Sequence, residues 1–511
     1  MKLGIWSIIF PNLFFDKSIK PPIIKPMNKD FFTINGYPLD EQQKNAILHA
    51  SKYSLIVAGA GSGKTLTMIG KIKYLLEIKK VEPESILCIS FTNESVKSLK
   101  EKINNDKIHV FTFHKLAMHI LKEEENFFEI APDTFLTETI GLFFQNHVWN
   151  HPLLKKQFCK LNKKIFFTNK QYQTFLNTKE HIEIQKLIAT FLALFSTNNL
   201  STHDFKTFFK LTKENSLLFF LYAIYNFYEK EKEIQHYYDF DDLIKKAMQL
   251  CKEKRICKYK EIIIDEFQDT SKLRLDFMRE VVKNNDANLT VVGDDFQSIY
   301  KFSGCDLNIF LNFQRYFQGA KTFKIENTYR NSQELIKIAG DFVMQNERQI
   351  KKDLKSHKHL DKPIKIIKYF NPYNVLLKII KKIEKGEILI LGRNNFDIYN
   401  FIPKEKITWL EQGYFKLEKE PYHLRYLTIH KSKGLESDNV ILINLVDSEI
   451  GLPAKRKTPA ITYLIQEKES FLYEEERRLF YVALTRTKNY CYLLVPYFNP
   501  SSFIKEIKKK I

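Results

Sequence analysis

The sequence predicts an α/β protein with parallel sheets covered by helices, and three observations indicate this fold class. Short apolar runs that suit buried strands alternate with segments of helical periodicity, so the element order begins βαβα. The alternation stops over residues 116–238, where helical periodicity continues with few strand signals. A second α/β region begins near Ala320. The chain has 511 residues, which is enough for several domains with large cores.

Residues 54–65, SLIVAGAGSGKT, give the first chemical signal. An apolar run is followed by a glycine-rich turn and then by a segment of helical periodicity. Glycines let backbone N–H groups converge on an anion, and the helix N-terminus adds partial positive charge. We therefore predict a nucleoside-triphosphate site, in which Lys64 contacts the β- and γ-phosphates and the Thr65 hydroxyl is a Mg²⁺ ligand. The turn residues that would surround the phosphates are Ala58, Gly59, Ala60, Gly61, Ser62 and Gly63.

Two carboxylates, Asp265 and Glu266, directly follow the apolar run 262–264. At this strand end they belong beside the phosphate loop. Asp265 would hold Mg²⁺ through its water shell, and Glu266 would orient and deprotonate the attacking water. An Asp-Glu pair after a strand is by itself usually a solvated strand end. The upstream Gly-Lys-Thr and the following Phe-Gln-Asp-Thr-Ser favour the functional interpretation.

Phosphoryl transfer also needs cations against the charge that develops on the γ-phosphate. Arg330 in TYRNS and Arg486 in ALTRT lie in the second α/β region, and both could reach across a cleft if that region faces the first. Gln297 lies at a further strand end. The alternative is that each arginine pairs with a structural carboxylate.

The chain is strongly basic, with 80 Lys and Arg against 60 Asp and Glu and a net charge of +20. This excess favours a polyanionic partner, although charge alone does not choose between nucleic acid and an anionic membrane surface. The six cysteines are scattered without a CxxC pair, which indicates neither a zinc site nor a disulfide framework and fits a reducing cytoplasm. No stretch reaches a transmembrane length. Residues 1–30 are predicted to be an extension with a proline-rich linker.

Across residues 37–493 the chain resembles the UvrD/Rep-type superfamily 1A DNA helicases, and VGDDFQSIYKFSG is most similar to the helicase IV branch. The motifs occur in family order: the Gln43 adenine motif, AGAGSGKT, SFTN, TFH, DEFQDTS, GDDFQSIY, NTYRNS, TIHKSKGLE and EEERRLFYVALTRT. The resemblance implies two RecA-like motor domains, with a helical insertion in the first and a much reduced insertion in the second.

The resemblance also implies a set of domain boundaries. They are 31–115 and 239–318 for the first motor domain, 116–238 for its helical insertion, 319–394 and 428–511 for the second motor domain, and 395–427 for the remnant of its insertion. The remnant is too short to bury a core of its own, so we expect it to pack on the second motor domain.

The resemblance also implies further nucleotide contacts. Gln43 would read the adenine edge, Tyr329 would stack on the base, and Glu436 would lie at the ribose and phosphate side. Gln297 would sense the γ-phosphate, and the two arginines above would act as arginine fingers. The Gln43 motif follows Asp40, which we predict to be the N-cap of a helix from residue 41 to about residue 50.

The implied DNA contacts are of two kinds. Phe91, Tyr300 and Phe302 would stack on single-stranded bases, which suits a motor that ignores sequence because every base has a π-face. The alternative for these aromatic side chains is core packing, in a chain with 43 phenylalanines. The other predicted DNA-binding residues, in motifs that contact the DNA, are Thr92, His114, Thr428 and His430.

The resemblance implies an ATP- and Mg²⁺-dependent DNA helicase that moves 3′-to-5′ on single-stranded DNA and acts at junctions with duplex DNA. We expect it to act in the cytoplasm, in DNA repair, recombination or replication restart, and not at a membrane. A protein loading partner is compatible with this interpretation. The alternative is a DNA-binding partner subunit with a vestigial ATP site. Two residues depart from the family pattern, Leu66 after Gly-Lys-Thr and Ser303 after Tyr300-Lys-Phe, where many relatives carry arginine.

Overall fold

A computed structural model describes residues 29–122, 129–212, 215–255, 258–383, 385–417, 424–456 and 458–511. The predicted extension, residues 1–30, lies almost wholly outside this range. Among the described residues, no helix is both long enough and apolar enough to cross a membrane.

The described strands form two large sheets and two small ones. In chain order they are β1 (Thr33–Ile34), β2 (Tyr37–Pro38), β3 (Tyr53–Ala58), β4 (Ile86–Ile89), β5 (His109–Phe111), β6 (Glu129–Ile130), β7 (Tyr237–Tyr238), β8 (Glu261–Ile264), β9 (Asn288–Gly293), β10 (Lys321–Ile325), β11 (Ile364–Tyr369), β12 (Ile388–Gly392), β13 (Ile407–Trp409), β14 (Tyr414–Leu417), β15 (Leu424–Thr428), β16 (Ser437–Leu442) and β17 (Thr487–Pro496).

Helices cover both large sheets and form a separate helical body. In chain order they are α1 (Glu41–Leu48), α2 (Lys64–Glu77), α3 (Asn93–Ile103), α4 (Phe113–Lys122), α5 (Phe135–Phe143), α6 (Pro152–Asn162), α7 (Asn169–Leu176), α8 (Lys179–Thr197), α9 (Thr202–Leu211), α10 (Asn215–Gln235), α11 (Phe240–Glu253), α12 (Lys272–Asn285), α13 (Leu307–Leu311), α14 (Phe313–Tyr316), α15 (Gln333–Val343), α16 (Pro372–Lys382), α17 (Glu474–Leu484) and α18 (Ser502–Ile507).

The first sheet has the strand order β10-β3-β9-β8-β4-β5, and every neighbouring pair is parallel. Its central strands are buried on both faces and read as continuous apolar runs, as expected where helices cover a parallel sheet. Because β3, β9 and β8 are neighbours, the residues that follow them meet at one carboxyl edge. Ligands bind in α/β sheets at such an edge.

The structure differs from the predicted domain boundary at residue 319. Strand β10, which we predicted to open the second motor domain, is instead an edge strand of the first sheet, with Lys321 opposite Ser54 and Ile325 opposite Ala58. Its sequence, KTFKI, mixes lysines with apolar residues and suits a half-buried edge in either sheet. The chain therefore passes to the second sheet only after residue 325.

The boundary at residue 116 also differs. Helix α4 runs through it, and Leu116, Ala117, Ile120 and Leu121 lie in the core of the first sheet. The helical insertion therefore starts after α4. The periodicity of α4 marks a helix but does not say which core it packs on.

The helical insertion comprises α5 to α10 around a core rich in aromatic rings. Strands β6 and β7 pair in parallel at its base, where the chain enters and leaves the insertion. Ile461, from the second α/β region, also lies in this core. The insertion therefore contacts chain segments that belong to the second sheet.

The second sheet has the order β11-β17-β16-β12-β15-β14-β13, in which the first five strands are parallel and the last two are antiparallel. Strands β13 and β14 come from the segment 395–427, and so does all of β15 except Thr428, so the second motor domain resumes at Leu424 rather than at residue 428. Ile398, Ile402 and Phe415 of this segment share one hydrophobic core with Ile390 of β12. The predicted α/β class is confirmed, with one fully parallel sheet and one that is mostly parallel.

Candidate functional site

The phosphate loop connects β3 to α2 at the carboxyl edge of the first sheet. Gly61 and Gly63 have φ angles of +70° and +78°, which glycine adopts without strain. A Cβ atom on Gly61 would lie 2.5 Å from Cβ of Arg330, and one on Gly63 would lie 2.8 Å from Nε2 of Gln43. Within the described chain no side chain caps the N-terminus of α2. Its first N–H groups are therefore available to an anion.

A segment of the second α/β region lies directly on this loop. The Thr328 hydroxyl donates to the carbonyl oxygen of Ala60 over 2.7 Å, and the Tyr329 N–H donates to the carbonyl oxygen of Gly61 over 2.9 Å. The loop that follows β10 therefore closes one side of the phosphate loop. We call the space between these two loops and the end of β8 the nucleotide cleft.

Gln43 and Tyr329 meet at one end of the nucleotide cleft. Asp40 caps α1 as predicted, in a reciprocal pair with the Gln43 side chain, although α1 ends at Leu48 rather than near residue 50. The Gln43 Nε2 group donates to the carbonyl oxygen of Ser62 over 3.1 Å, and the Tyr329 hydroxyl donates to Asp40 over 2.8 Å. Both predicted adenine contacts thus lie beside the phosphate loop.

The predicted carboxylates lie opposite the phosphate loop, directly after β8. The Lys64 ammonium group is 3.8 Å from Oε2 of Glu266. Glu266 has a φ of 49°, a left-handed conformation that is strained for a residue with a side chain and is typical of functional sites. Burial and the adjacent Glu266 carboxylate raise the pKa of Asp265. The ammonium groups of Lys64 and Lys433 outweigh burial and lower the pKa of Glu266.

The oxygen atoms at this edge fit Mg²⁺. The Thr65 hydroxyl is on the second residue of α2, and Asp265 follows β8, so both belong to the same edge of the first sheet. Mg²⁺ prefers hard oxygen ligands. A divalent cation there would also offset the repulsion that raises the pKa of Asp265.

Arg486 reaches the first sheet from the second. It lies between α17 and β17 and is only 1 % exposed. Its guanidinium group donates to Oε1 of Gln297 over 3.2 Å. The Gln297 amide in turn donates to Asp294 over 2.6 Å. Burial and the charge of Arg330 lower the pKa of Arg486 to about 9. The two sheets thus meet through a buried arginine and the predicted γ-phosphate sensor.

Arg330 is paired with a carboxylate, as the alternative interpretation proposed. Its Nε group donates to Oε2 of Glu436 over 2.7 Å, and Lys488 lies 3.4 Å from the other oxygen of Glu436. Glu436 is itself a predicted nucleotide contact. The pair lies beside the phosphate loop, because Arg330 adjoins Gly61.

Two buried lysines were not predicted from the sequence. The Lys433 ammonium group donates to the Asp269 carboxylate and, over 2.8 Å, to the carbonyl oxygen of Gln297. Its motif, TIHKSKGLE, was a signal that could have identified it. Lys352 is fully buried between Asp294 and Asp295, 2.6 Å from the latter. The sequence around Lys352 contains no such signal.

Four of the predicted DNA contacts come together in a second open cavity of about 560 Å³. Tyr300, Phe302, Thr428 and His430 line it, and Phe302 is 61 % exposed. The Tyr300 hydroxyl donates to the carbonyl oxygen of His430 over 3.1 Å, and the rings of Phe302 and His430 lie 5.6 Å apart. We call this cavity the aromatic groove.

Phe91, Thr92 and His114 form a separate group after β4 and β5. The Phe91 ring packs 5.3 Å from that of Phe113, beneath the guanidinium group of Arg274. Thr92 caps α3, and the His114 ring lies 5.1 Å from that of Phe240. These three residues lie at the carboxyl edge of the first sheet but do not line the aromatic groove.

Leu66 and Ser303, the two residues that depart from the family pattern, both make local contacts. Leu66 packs on the small apolar cluster around Leu39 and Ile47. The Ser303 hydroxyl donates to the carbonyl oxygen of Tyr300 over 2.8 Å. Neither position holds a charge beside the nucleotide cleft or the aromatic groove.

Two family models match this chain. The UvrD/REP helicase N-terminal domain matches residues 39–318, and the UvrD-like helicase C-terminal domain matches residues 393–496. Lys64 and Glu266 lie in the first match and Arg486 lies in the second, whereas the loop that follows β10 lies between the two matches.

Curated relatives agree with these matches. DNA helicase IV of Escherichia coli is 27 % identical, over 94 % of this chain and 71 % of its own length. The ATP-dependent DNA helicase Rep of Buchnera aphidicola is 30 % identical, over 82 % of this chain and 65 % of its own length. A probable DNA helicase of Mycoplasma pneumoniae is 26 % identical, over 92 % of this chain and 87 % of its own length. The chain therefore belongs to the UvrD/Rep family of helicases, as its ordered motifs predict.

Proposed function

We propose that this chain is an ATP-dependent motor that moves 3′-to-5′ along single-stranded DNA and separates strands at junctions with duplex DNA. The observation that supports this most directly is the shared nucleotide cleft, in which Arg486 of the second sheet donates to Gln297 of the first over 3.2 Å. A nucleotide bound there would contact residues of both α/β regions. Its hydrolysis would therefore change the contacts between the two regions. The names of the relatives, which include ATP-dependent DNA helicases, support the same activity.

The residues of the nucleotide cleft have complementary roles in this proposal. The phosphate loop and Lys64 bind the β- and γ-phosphates. The Glu266 carboxylate, 3.8 Å from the Lys64 ammonium group, orients the attacking water and accepts its proton. Mg²⁺, held by Thr65 and Asp265, would supply charge neutralisation on the phosphates. Arg330 and Arg486 stabilise the charge that develops on the transferred group.

One short segment connects the nucleotide cleft to the aromatic groove. Gln297 contacts Arg486 in the cleft, and Tyr300 and Phe302 of the groove follow it within five residues. Lys433 is a second connection between the nucleotide cleft and the aromatic groove. Its ammonium group donates to the carbonyl oxygen of Gln297 and lies 5.0 Å from the Tyr300 ring. We infer that closure of the cleft on ATP shifts the groove and moves a stacked base.

A strand-displacement assay tests this proposal. Duplexes with a 3′ single-stranded tail, a 5′ tail or no tail are incubated with ATP and Mg²⁺, and Glu266→Gln serves as an isosteric control. We expect displacement only from the 3′-tailed duplex and only with the unmodified chain. Displacement from the 5′-tailed duplex would reverse the direction. DNA binding without any ATP turnover would favour a partner subunit with a vestigial site.

A further inference from the structure

The segment between β12 and β15 presents a tryptophan to solvent. Trp409 ends β13 and is 40 % exposed. Its ring lies 5.4 Å from that of Phe415, 6.4 Å from that of Tyr426 and 6.5 Å from that of Tyr399. The indole ring thus packs against three aromatic neighbours while a large part of the residue stays in contact with solvent. An exposed tryptophan held in this way is available to stack on a flat ligand.

Trp409 lines a cavity that adjoins the aromatic groove. The cavity has a volume of about 490 Å³. Three of the residues that line it, Asn395, Thr428 and Lys431, also line the aromatic groove. The two cavities are therefore neighbouring parts of one surface, with Phe302 in one part and Trp409 in the other. We call the second part the tryptophan cavity.

The charges along this surface have one sign. Arg425 and Lys431 line the tryptophan cavity, and Arg393 and Arg456 line the aromatic groove together with Lys431. Arg393 is paired with Glu476 over 2.8 Å, so the excess positive charge comes from the other three residues. No aspartate or glutamate is among the described residues that line either cavity. The Arg425 guanidinium is fixed by a 2.9 Å bond from its Nε group to the carbonyl oxygen of Gln412. This surface therefore suits a polyanion such as the phosphate backbone of a nucleic acid.

We propose that the tryptophan cavity is a nucleobase subsite, in which Trp409 stacks on a base of the same DNA strand that occupies the aromatic groove. A flat aromatic ring between cations is the arrangement that binds single-stranded nucleic acid without reading its sequence. Arg425 and Lys431 would contact the flanking phosphates. This inference rests on the proposed function, because it takes the aromatic groove to be the DNA track. It gives the short segment 395–417 a DNA-binding role.

Intrinsic fluorescence tests the stacking contact directly. The sequence has three tryptophans, so the full chain with Trp6→Phe and Trp149→Phe retains only Trp409. This protein is titrated with oligothymidylate and, separately, with a blunt duplex. We expect single-stranded DNA to quench the Trp409 emission and the duplex to leave it unchanged. Unchanged emission at saturating single-stranded DNA would overturn the proposal, and equal quenching by the blunt duplex would overturn the assignment to a single strand.

Substitution at Trp409 provides a second measurement. Trp409→Ala should weaken binding of oligothymidylate about tenfold, and Trp409→Phe should recover most of this loss because a phenyl ring still stacks. Phe498→Ala is the matched control, since Phe498 is 79 % exposed but lines neither cavity. Wild-type affinity in Trp409→Ala would overturn the inference while leaving the proposed function intact. Failure of the unmodified chain to bind DNA would instead overturn the proposed function.

Discussion

The nucleotide cleft and the aromatic groove are built by the same two sheets, yet they hold their side chains in opposite ways. In the cleft, Arg486 is 1 % exposed and is fixed by several hydrogen bonds. In the groove, Phe302 is 61 % exposed. Buried, fixed charges stabilise a transition state at no reorganisation cost, whereas exposed rings accept any base. ATP hydrolysis thus requires buried side chains in the nucleotide cleft, whereas movement along DNA requires exposed rings in the aromatic groove.

The largest effect is expected from Glu266→Gln in the nucleotide cleft. The substitution keeps the shape of the side chain but removes the proton acceptor, so ATP turnover should fall by about a hundredfold or more. Steady-state phosphate release measures this loss, and a nucleotide-binding assay confirms that the cleft still forms. Turnover near the unmodified rate would remove Glu266 from the role of general base.

Lys433→Met should be the next most severe change, because it leaves the buried Asp269 carboxylate without its cation. We expect a loss of about 3 kcal/mol in the free energy of unfolding, together with a loss of ATP turnover. Thermal or urea unfolding measures the first effect. The double variant Lys433→Met, Asp269→Asn separates the two effects, since it should recover stability without recovering turnover. Full recovery of turnover would make Lys433 purely structural.

These two residues also illustrate what the sequence could predict. Glu266 follows an apolar run and lies downstream of a Gly-Lys-Thr motif, so local pattern and order along the chain were enough to predict its position beside the phosphate loop. Lys433 depends on Asp269, 164 residues away, and a contact at that separation leaves no periodicity in the sequence. Strand β10 shows the same limit, since KTFKI fits the edge of either sheet and only tertiary packing decides between them.

A smaller effect is expected in the aromatic groove, from Phe302→Ala. Loss of one stacking ring should weaken single-stranded DNA binding about tenfold, with little dependence on base sequence. Fluorescence anisotropy with oligonucleotides of equal length and different composition measures this, at several salt concentrations. ATP affinity should change less than DNA affinity. A strong preference for one sequence, in the unmodified chain, would contradict a groove that works by stacking.

The smallest effect concerns pH and the groove residue His430. Burial, together with the charges of Arg393 and Lys433, lowers the pKa of His430 to about 4. The ring is therefore neutral in the folded protein between about pH 6 and pH 8, and it gains its proton only well below the usual histidine range. We therefore expect the DNA affinity of the unmodified chain and that of His430→Gln to depend on pH in the same way between about pH 6 and pH 8. A rise in affinity on acidification that this variant abolishes would show that His430 titrates in the groove.

The most direct test of the account is ATP turnover with and without single-stranded DNA, measured for the unmodified chain and for Arg486→Ala. Arg279→Ala is the matched control, because Arg279 is an exposed arginine on α12 and is not among the residues assigned to the cleft or the groove. We predict that DNA strongly stimulates the unmodified chain and the control, and that Arg486→Ala hydrolyses ATP slowly under both conditions. Turnover that is insensitive to DNA in the unmodified chain, or unaffected by Arg486→Ala, would contradict a cleft shared by two sheets and coupled to the groove.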